Sequence, residues 1–382
     1  MKKAVIPYST QEVNERDIRN VERILRSPWL TQGPAVASFE KAVAKNVGAK
    51  YAVAVSSGTA ALHAAYFAAG IAKGDEVIVP AITFAATGNA ALYLGAKPVF
   101  ADVALEDGCM SPLDAQKKIT KKTKAIVPVD YAGRPADLRA FRALAAKHHL
   151  ALIEDAAQSF GASYRGRPLG TQADMTVFSF HPVKSITTGE GGIVTTNSRQ
   201  FDRAMRIFRH HGISKDPDTF ERSGRGGWYQ EMQALGYNYR MTDIQAALGE
   251  SQLKRMDRFI ARRRAAAARY DTLLKNTPGL ILPPPDGERV RSAWHLYPVR
   301  LAPTIARRRD EIFAKLHTKG IGAQVHYLPV YLHLYYERLG YKKGLCPNAE
   351  TFAASEISIP LFPAITKKQQ TYIADTLKEI LA

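Results

Sequence analysis

The sequence predicts an α/β fold: a large domain on a mostly parallel sheet flanked by helices, then a smaller C-terminal α/β domain. Three observations carry that expectation. From about residue 50, short β-rich runs are separated by helical patterns, which indicates βαβ units and a sheet covered on both faces. Near residue 248 the texture changes to a long charged helical run and a proline-rich breaker. The length, 382 residues, exceeds what one compact core usually organises. The expected division is residues 12–248 for the large domain and 249–382 for the small one, with an N-terminal arm, residues 1–11, packing near the latter.

The elements follow in order. "YAVAV" from Tyr51 reads as a strand and "TAALHAAYFAAG" from Thr59 as an apolar helix. "DEVIVP" is the next strand, followed by a helix through "TFAATGNAALYLG" that ends on Gly95. "KPVFAD" and "TKAIVPVD" read as strands, "PADLRAFRALAAKHH" as a helix and "LALIEDA" as a strand. "MTVFSF" and "GGIVTTN" bracket a loop that contains Lys184. After "GYNYRMTDIQAALGESQLKRM" a charged helical run extends to Tyr270, and "NTPGLILPPPDG" breaks it. Beyond the break, "SAWHLYPVRL" reads as a strand, "RDEIFAKLHTKG" as an amphipathic helix capped by Gly320, and "IGAQVHY" as a further strand.

Composition narrows the function classes. Hydrophobic residues make up 46%, enough for a substantial core. No apolar run approaches membrane-spanning length, and the N-terminus does not read as a signal peptide. Cys109 and Cys346, far apart, form neither a disulfide framework nor a zinc pattern, so a cytoplasmic enzyme fits best. The net charge of +18 is spread over runs such as "KRMDRFIARRR" and "TKKTK" that lack interleaved aromatics. That pattern favours a basic surface first, an anionic small-molecule substrate second and nucleic acid last.

Four stretches sit where an α/β site draws its residues, at strand ends and helix starts. In "VAVSSGTAALHAA" a strand runs into Ser56-Ser57-Gly58-Thr59 and a helix starts at once, which suits a phosphate; the alternative is an ordinary Ser/Thr cap. It has neither P-loop nor GxGxxG spacing. In "ALIEDAAQSFG" a buried strand ends on Glu154-Asp155 with Gln158 three residues on; Asp155 can pair with a cationic ring nitrogen, and no histidine cluster supports a metal. Lys184 lies between apolar strands on a turn with Ser179 before it and Gly189, Gly191 and Gly192 after it. A lysine there can reach a cleft and bond a carbonyl, or pair structurally with a carboxylate. In "GYNYRMTDIQAALG", Asn238 and Arg240 precede a helix for which Thr242 is a plausible N-cap. Together the four match the needs of pyridoxal phosphate, which supplies an electron sink and asks for a lysine, a ring-nitrogen partner and a phosphate cup.

On these residues, with "WLTQGP", "GDEVIVP", "VDYAGRPAD" and "IEDAAQSFGASYRGRPLG", the chain resembles the nucleotide-sugar aminotransferases of the fold-type I pyridoxal-phosphate enzymes. The resemblance covers nearly the whole length. It implies that Lys184 bonds the cofactor, Asp155 meets its ring nitrogen, Gln158 lies against the ring or its phenolic oxygen, and Gly58, Thr59 and Ser179 hold its phosphate. Phe84 matches a position where an aromatic stacks on the ring, and is otherwise a plain core residue. Asn238 would reach the phosphate bound by a neighbouring subunit, which implies a homodimer with shared sites. The resemblance makes Tyr8, Trp29 and His326 candidate sugar-nucleotide contacts, with packing as the alternative, and Arg240 or nearby basic residues can meet the diphosphate. "FHPVKSITTGEGG" and "IPYSTQEV" are most similar to aminotransferases of pseudaminic acid biosynthesis, which aminate C4 of a UDP-linked 2-acetamido-2,6-dideoxy-4-ketohexose. Relatives acting on UDP-4-keto-arabinose or dTDP-4-keto-6-deoxy sugars share most of these blocks. Glutamate is the implied amino donor. The competing expectations are a sugar dehydratase, in which histidine replaces the lysine, and a regulatory protein that kept the fold.

Overall fold

The structure, a computed structural model, describes residues 5–222 and 226–382. The first four residues of the expected arm, and residues 223–225 of the expected large domain, lie outside the described residues.

Seven strands form the main sheet: β1 (Tyr51–Val55), β2 (Glu76–Pro80), β3 (Lys97–Ala101), β4 (Thr123–Ile126), β5 (Ala151–Asp155), β6 (Met175–Ser179) and β7 (Gly192–Thr196). Their spatial order is β1-β7-β6-β5-β4-β2-β3. All neighbours from β6 to β3 are parallel, and β7 alone runs antiparallel to both strands beside it. The reason lies in the connections: helical crossovers up to β5, and a long non-helical one through residues 156–174 before β6, return the chain to the starting edge, whereas the Lys184 loop joins β6 directly to β7. Strands β1 and β6, both antiparallel to β7, therefore end at the same edge as β5.

Several helix starts are chemically marked. Helix α1 (Glu15–Leu25) begins with a capping box from Asn14 and Asp17, and α2 (Pro34–Val47) with proline in its first turn. In α3 (Gly58–Ala68) the Ser57 side chain accepts from the Ala60 N–H. Then come α4 (Ala86–Tyr93), α5 (Leu138–His148) and α6 (Arg199–Phe208). Thr242 caps α7 (Asp243–Leu253) as expected, with Gln245 completing a capping box. The charged helical run is α8 (Met256–Leu274), which begins after a break past Leu253 and continues beyond Tyr270. Residue 248, the expected boundary, falls inside α7, which packs on α1 and α2.

The C-terminal part holds a small antiparallel sheet of β8 (Leu280–Ile281), β9 (Tyr297–Leu301) and β10 (Glu356–Ile359), with α9 (Arg309–Thr318) and α10 (Lys367–Leu381) against it. Gly320 sits at φ +76° just past α9. Only the second half of "SAWHLYPVRL" is strand, and "IGAQVHY" is not a strand at all. It makes single bridges from Ile321 to Ile6 and from Gln324 to Ser358. The arm takes up its first part: the Ile6 N–H donates to Gly320 and the Gly322 N–H donates back to Ile6, so the segment pairs with the arm at its start and meets the sheet only through Gln324 and Ser358. A side chain at Gly322 would sit 2.9 Å from the Ile6 carbonyl oxygen. Residues far along the chain also complete the main core, since Val330, Tyr331 and Phe352 pack with Phe100 and Tyr131. Among the described residues no helix is long and apolar enough to cross a membrane.

Candidate active site

The edge at which β1, β5 and β6 end collects the residues singled out in the sequence. Register places them: Val55 and Ser179 both pair with Gly192, from opposite sides of β7. Glycine is required at 192, where a Cβ would lie 2.4 Å from the Ser57 carbonyl oxygen. Across this close approach, the start of α3 meets the end of β6. A Cβ on Gly58 would fall 2.9 Å from Ser179 Cβ and 3.0 Å from its Oγ. The result is a helix N-terminus whose first backbone N–H groups are uncovered, bordered by the hydroxyls of Thr59 and Ser179, and such an end favours an anion.

Asp155, at the tip of β5, is 4% exposed. Thr87 Oγ1 donates to its Oδ2 at 2.7 Å, and the Ala157 N–H to its Oδ1 at 3.2 Å. Burial raises its carboxyl pKa, while these two donors and the charge of Lys184 pull it back down. Gln158 is fixed at both ends, accepting from the Ala132 N–H at 2.8 Å and donating from Nε2 to the Tyr327 hydroxyl at 2.9 Å. Phe84 is not core. It is 62% exposed, with its ring 6.3 Å from that of Tyr327.

The Lys184 loop closes on itself. The Lys184 N–H donates to the His181 carbonyl, Thr187 Oγ1 to the Phe180 carbonyl, and the Gly189 N–H, at φ +81°, back to Thr187 Oγ1. Lys184 Nζ makes no hydrogen bond or ion pair among the described residues. Desolvation lowers its pKa to about 8; the Asp155 charge opposes that shift and the Arg263 charge adds to it. A substantial neutral fraction thus exists near neutral pH, which a nucleophile or proton carrier needs. Two buried imidazoles face the same amine. Burial first, and Lys184 second, hold His326 down to about 4, and the same causes lead in lowering His295.

The remaining expected residues lie on the rim or behind it. Asn238 is exposed, and its neighbours run beside β1, the Tyr239 carbonyl accepting from the Ser56 N–H and Arg240 bridging Val55. Arg240 Nη1 contacts His210 Nδ1 at 3.0 Å. Trp29 is 54% exposed on a loop tied down by Asp243, which accepts from the Gly33 and Ala35 N–H groups at 2.8 Å. Tyr8 is half-buried, its ring 5.8 Å from that of His326. His326 is buried, its Nδ1 2.9 Å from Ser358 Oγ, its N–H on Glu356 and its carbonyl accepting from Tyr131. Thr87, Tyr327, His295 and Arg263 were not anticipated. Thr87 alone had a local signal, three residues after Phe84 at the start of a helix.

These residues fit pyridoxal phosphate: an uncovered helix start for the phosphate, a buried carboxylate held by two donors for the ring nitrogen, and an unpartnered amine for the aldehyde. Relatives agree. The chain is 40% identical over 382 residues to Bacillus subtilis SpsC, a spore coat polysaccharide biosynthesis protein, covering 98% of this chain and 97% of SpsC. It superposes on Helicobacter pylori PseC, an aminotransferase involved in the biosynthesis of pseudoaminic acid, with TM-score 0.92, 33% identity and 99% of each chain covered. The PLP-form of the putative sugar aminotransferase Spr1654 from Streptococcus pneumoniae matches with TM-score 0.92 and 30% identity, over 99% of this chain and 98% of that one. The sequence profile of the DegT/DnrJ/EryC1/StrS aminotransferase family matches residues 11–378, and the chain belongs to that family.

Proposed function

We propose that this sugar aminotransferase installs an amine at C4 of a UDP-linked 2-acetamido-2,6-dideoxy-4-ketohexose, with glutamate as donor, in pseudaminic acid or related surface-glycan biosynthesis. The observation that carries the reading is the unpartnered Lys184 amine on the closed β6–β7 loop beside Asp155, in a chain that superposes on PseC over its whole length. SpsC, named for a polysaccharide, favours a surface-glycan sugar but also keeps other C4 keto sugars in play, UDP-4-keto-arabinose and dTDP-4-keto-6-deoxy sugars among them. Lys184 argues against a dehydratase, and the intact Lys184 and Asp155 argue against a purely regulatory protein.

Bound pyridoxal phosphate supplies the electron sink that stabilises negative charge on the carbon being deprotonated. Lys184 would hold the cofactor, and its free amine would carry a proton at Nζ between the donor carbon and the cofactor, a role its lowered pKa suits. Asp155 would hold the ring nitrogen protonated, and Thr87 orients the carboxylate that would do so. Gln158, pinned by Ala132 and Tyr327, sets the wall beside the ring. Gly58, Thr59 and Ser179 orient the phosphate.

A homodimer with shared sites fits the surface. Trp228 and Leu235 are each 76% exposed, and Trp29, Phe84 and Met232 are exposed as well, an apolar display that a second copy would cover. On this reading Asn238, exposed a few residues after Met232 and Leu235, would reach a phosphate in that copy. Beside Arg240 opens a cleft of about 600 Å³ that Arg199, Arg203 and Lys215 also line. Arg206, in the same cleft, is already paired with Glu40 and Asp202. The other cations supply charge for a diphosphate without invoking nucleic acid. A cytoplasmic location accords with nucleotide-sugar substrates.

The test is spectroscopic and then kinetic. Purified protein given pyridoxal phosphate should show a near-visible band that borohydride fixes covalently, and a Lys184→Ala variant should not. Glutamate should discharge the band, and the correct keto sugar should restore it with ping-pong kinetics. If no keto sugar of the UDP series restores it while a dTDP sugar does, the substrate assignment moves to that series.

A further inference from the structure

Arg263, on α8, is 1% exposed, and no carboxylate lies within ion-pair distance of it among the described residues. A guanidinium stays charged, and burial brings the pKa of this one down only to about 10. A buried charge without a countercharge is costly, and an apolar side chain of similar volume is often as stable or more so. Hydrogen bonds to carbonyls offset the cost here. Nη1 donates to the carbonyls of Trp294 (3.2 Å), His295 (3.2 Å) and Leu361 (3.0 Å), and Nη2 to that of Val183 (3.3 Å). Nε has no partner.

The identity of the fourth carbonyl matters most. Val183 immediately precedes Lys184, so the peptide that carries the reactive amine has its oxygen on Arg263. The other contact to that oxygen is a long one, from Ser9 Oγ at 3.5 Å. The fork thereby joins the β6–β7 loop to two C-terminal segments, 294–295 and 361, far away in sequence. We propose that Arg263 is a positioning residue for Lys184: its planar fork fixes the Val183–Lys184 peptide against those segments and so aims the amine. This rests on reading Lys184 as the reactive amine. The groups that face Lys184 are Asp155 from β5, Arg263 from α8, and His295 and His326 from the C-terminal segments. The two imidazoles are held neutral, so Arg263 is the cation that acts on Lys184.

The experiment compares wild type, Arg263→Lys and Arg263→Met. Lys184 in the cofactor-free protein is acetylated in brief pulses across pH and quantified by peptide mass spectrometry; the rate of pyridoxal phosphate capture is measured separately. Wild-type labelling should have its midpoint near pH 8. Arg263→Met, which removes a like charge, should move the midpoint to higher pH. Arg263→Lys keeps the charge but not the fork. It should keep the midpoint, label Lys184 faster at high pH because the turn is loosened, and capture the cofactor about tenfold more slowly. An Arg263→Lys protein that matches wild type in both rates overturns the proposal. So does a folded, less stable Arg263→Met protein with an unmoved midpoint, because that is the mark of a purely structural residue. Should Arg263→Met fail to fold, the labelling rate of Arg263→Lys decides. If wild type captures no cofactor at all, the functional reading fails, while the labelling still judges Arg263.

Discussion

The inner and outer halves of the site are built in opposite ways. Around Asp155, one chain supplies everything: Thr87 and Ala157 hold the carboxylate, Ala132 and Tyr327 hold Gln158, and Gly192 lets α3 and β6 close on each other. On the outer side, Phe84, Trp29 and Asn238 are exposed, and Asn238 makes no side-chain hydrogen bond among the described residues. Saturated inner groups are preorganised and need no further partner, whereas exposed aromatic and amide groups are free to be covered by another surface. On our proposal, the groups around the ring come from one chain, while the phosphate and substrate side of the site is shared between two copies.

The comparison can be broken from either side. Lys184→Ala should have the largest effect, lowering turnover by roughly 10³-fold or more, since both the bonding amine and the proton carrier vanish; single-turnover absorbance changes measure it. The outer half is probed by Asn238→Ala, which should weaken cofactor binding without touching Lys184. If sites are shared, mixing inactive Lys184→Ala protein with Asn238→Ala protein after dissociation should recover about a quarter of wild-type activity, because half the random dimers carry one intact site. No recovery from a mixture shown to form hybrids would place both residues in one chain's site.

A smaller effect sharpens the inner half. Thr87→Val removes a charge-assisted donor from Asp155, so its carboxyl pKa should rise further, and cofactor affinity should fall about tenfold by fluorescence titration. The smallest effect lies behind the site, at Glu356. Burial pushes its pKa up to about 8, against the hydrogen bonds from Ser358 and the His326 N–H that lower it. The folded chain then binds a proton that the unfolded chain releases near 4.5, so this group's contribution to stability is full at low pH and is lost as pH rises through about 8. Glu356→Gln should flatten that decline in denaturation midpoints, and an unchanged slope would show that Glu356 is ionised in the folded chain.

Much of the inner half was legible because its signals are local. A strand that ends in small hydroxyl residues and glycine before a helix, an acid at the tip of a buried strand, and a lysine on a glycine turn each show within a few residues. Thr242 as a cap and Gly320 as a helix stop were readable for the same reason. Phe84 was left between ring partner and core residue, and its exposure weighs against the core. "IGAQVHY" looked like a strand because its composition suits one. The arm pairs with its start at Gly320 and Gly322, a pairing between residues more than 300 apart that no local pattern displays.

Local order along the chain was enough to set the alternation of strands and helices, the edge of the sheet where the chemistry lies, and the residue types Lys184, Asp155 and Gly58, because backbone preference, capping and close approach act over a few residues. Only the tertiary structure decided that Thr87 orients Asp155, that Tyr327 pins Gln158, and that Arg263 reaches the carbonyl before Lys184. Those contacts join segments that are distant in sequence, and the burial that gives them their strength exists only once the sheet, the C-terminal segments and the arm have closed around the same point.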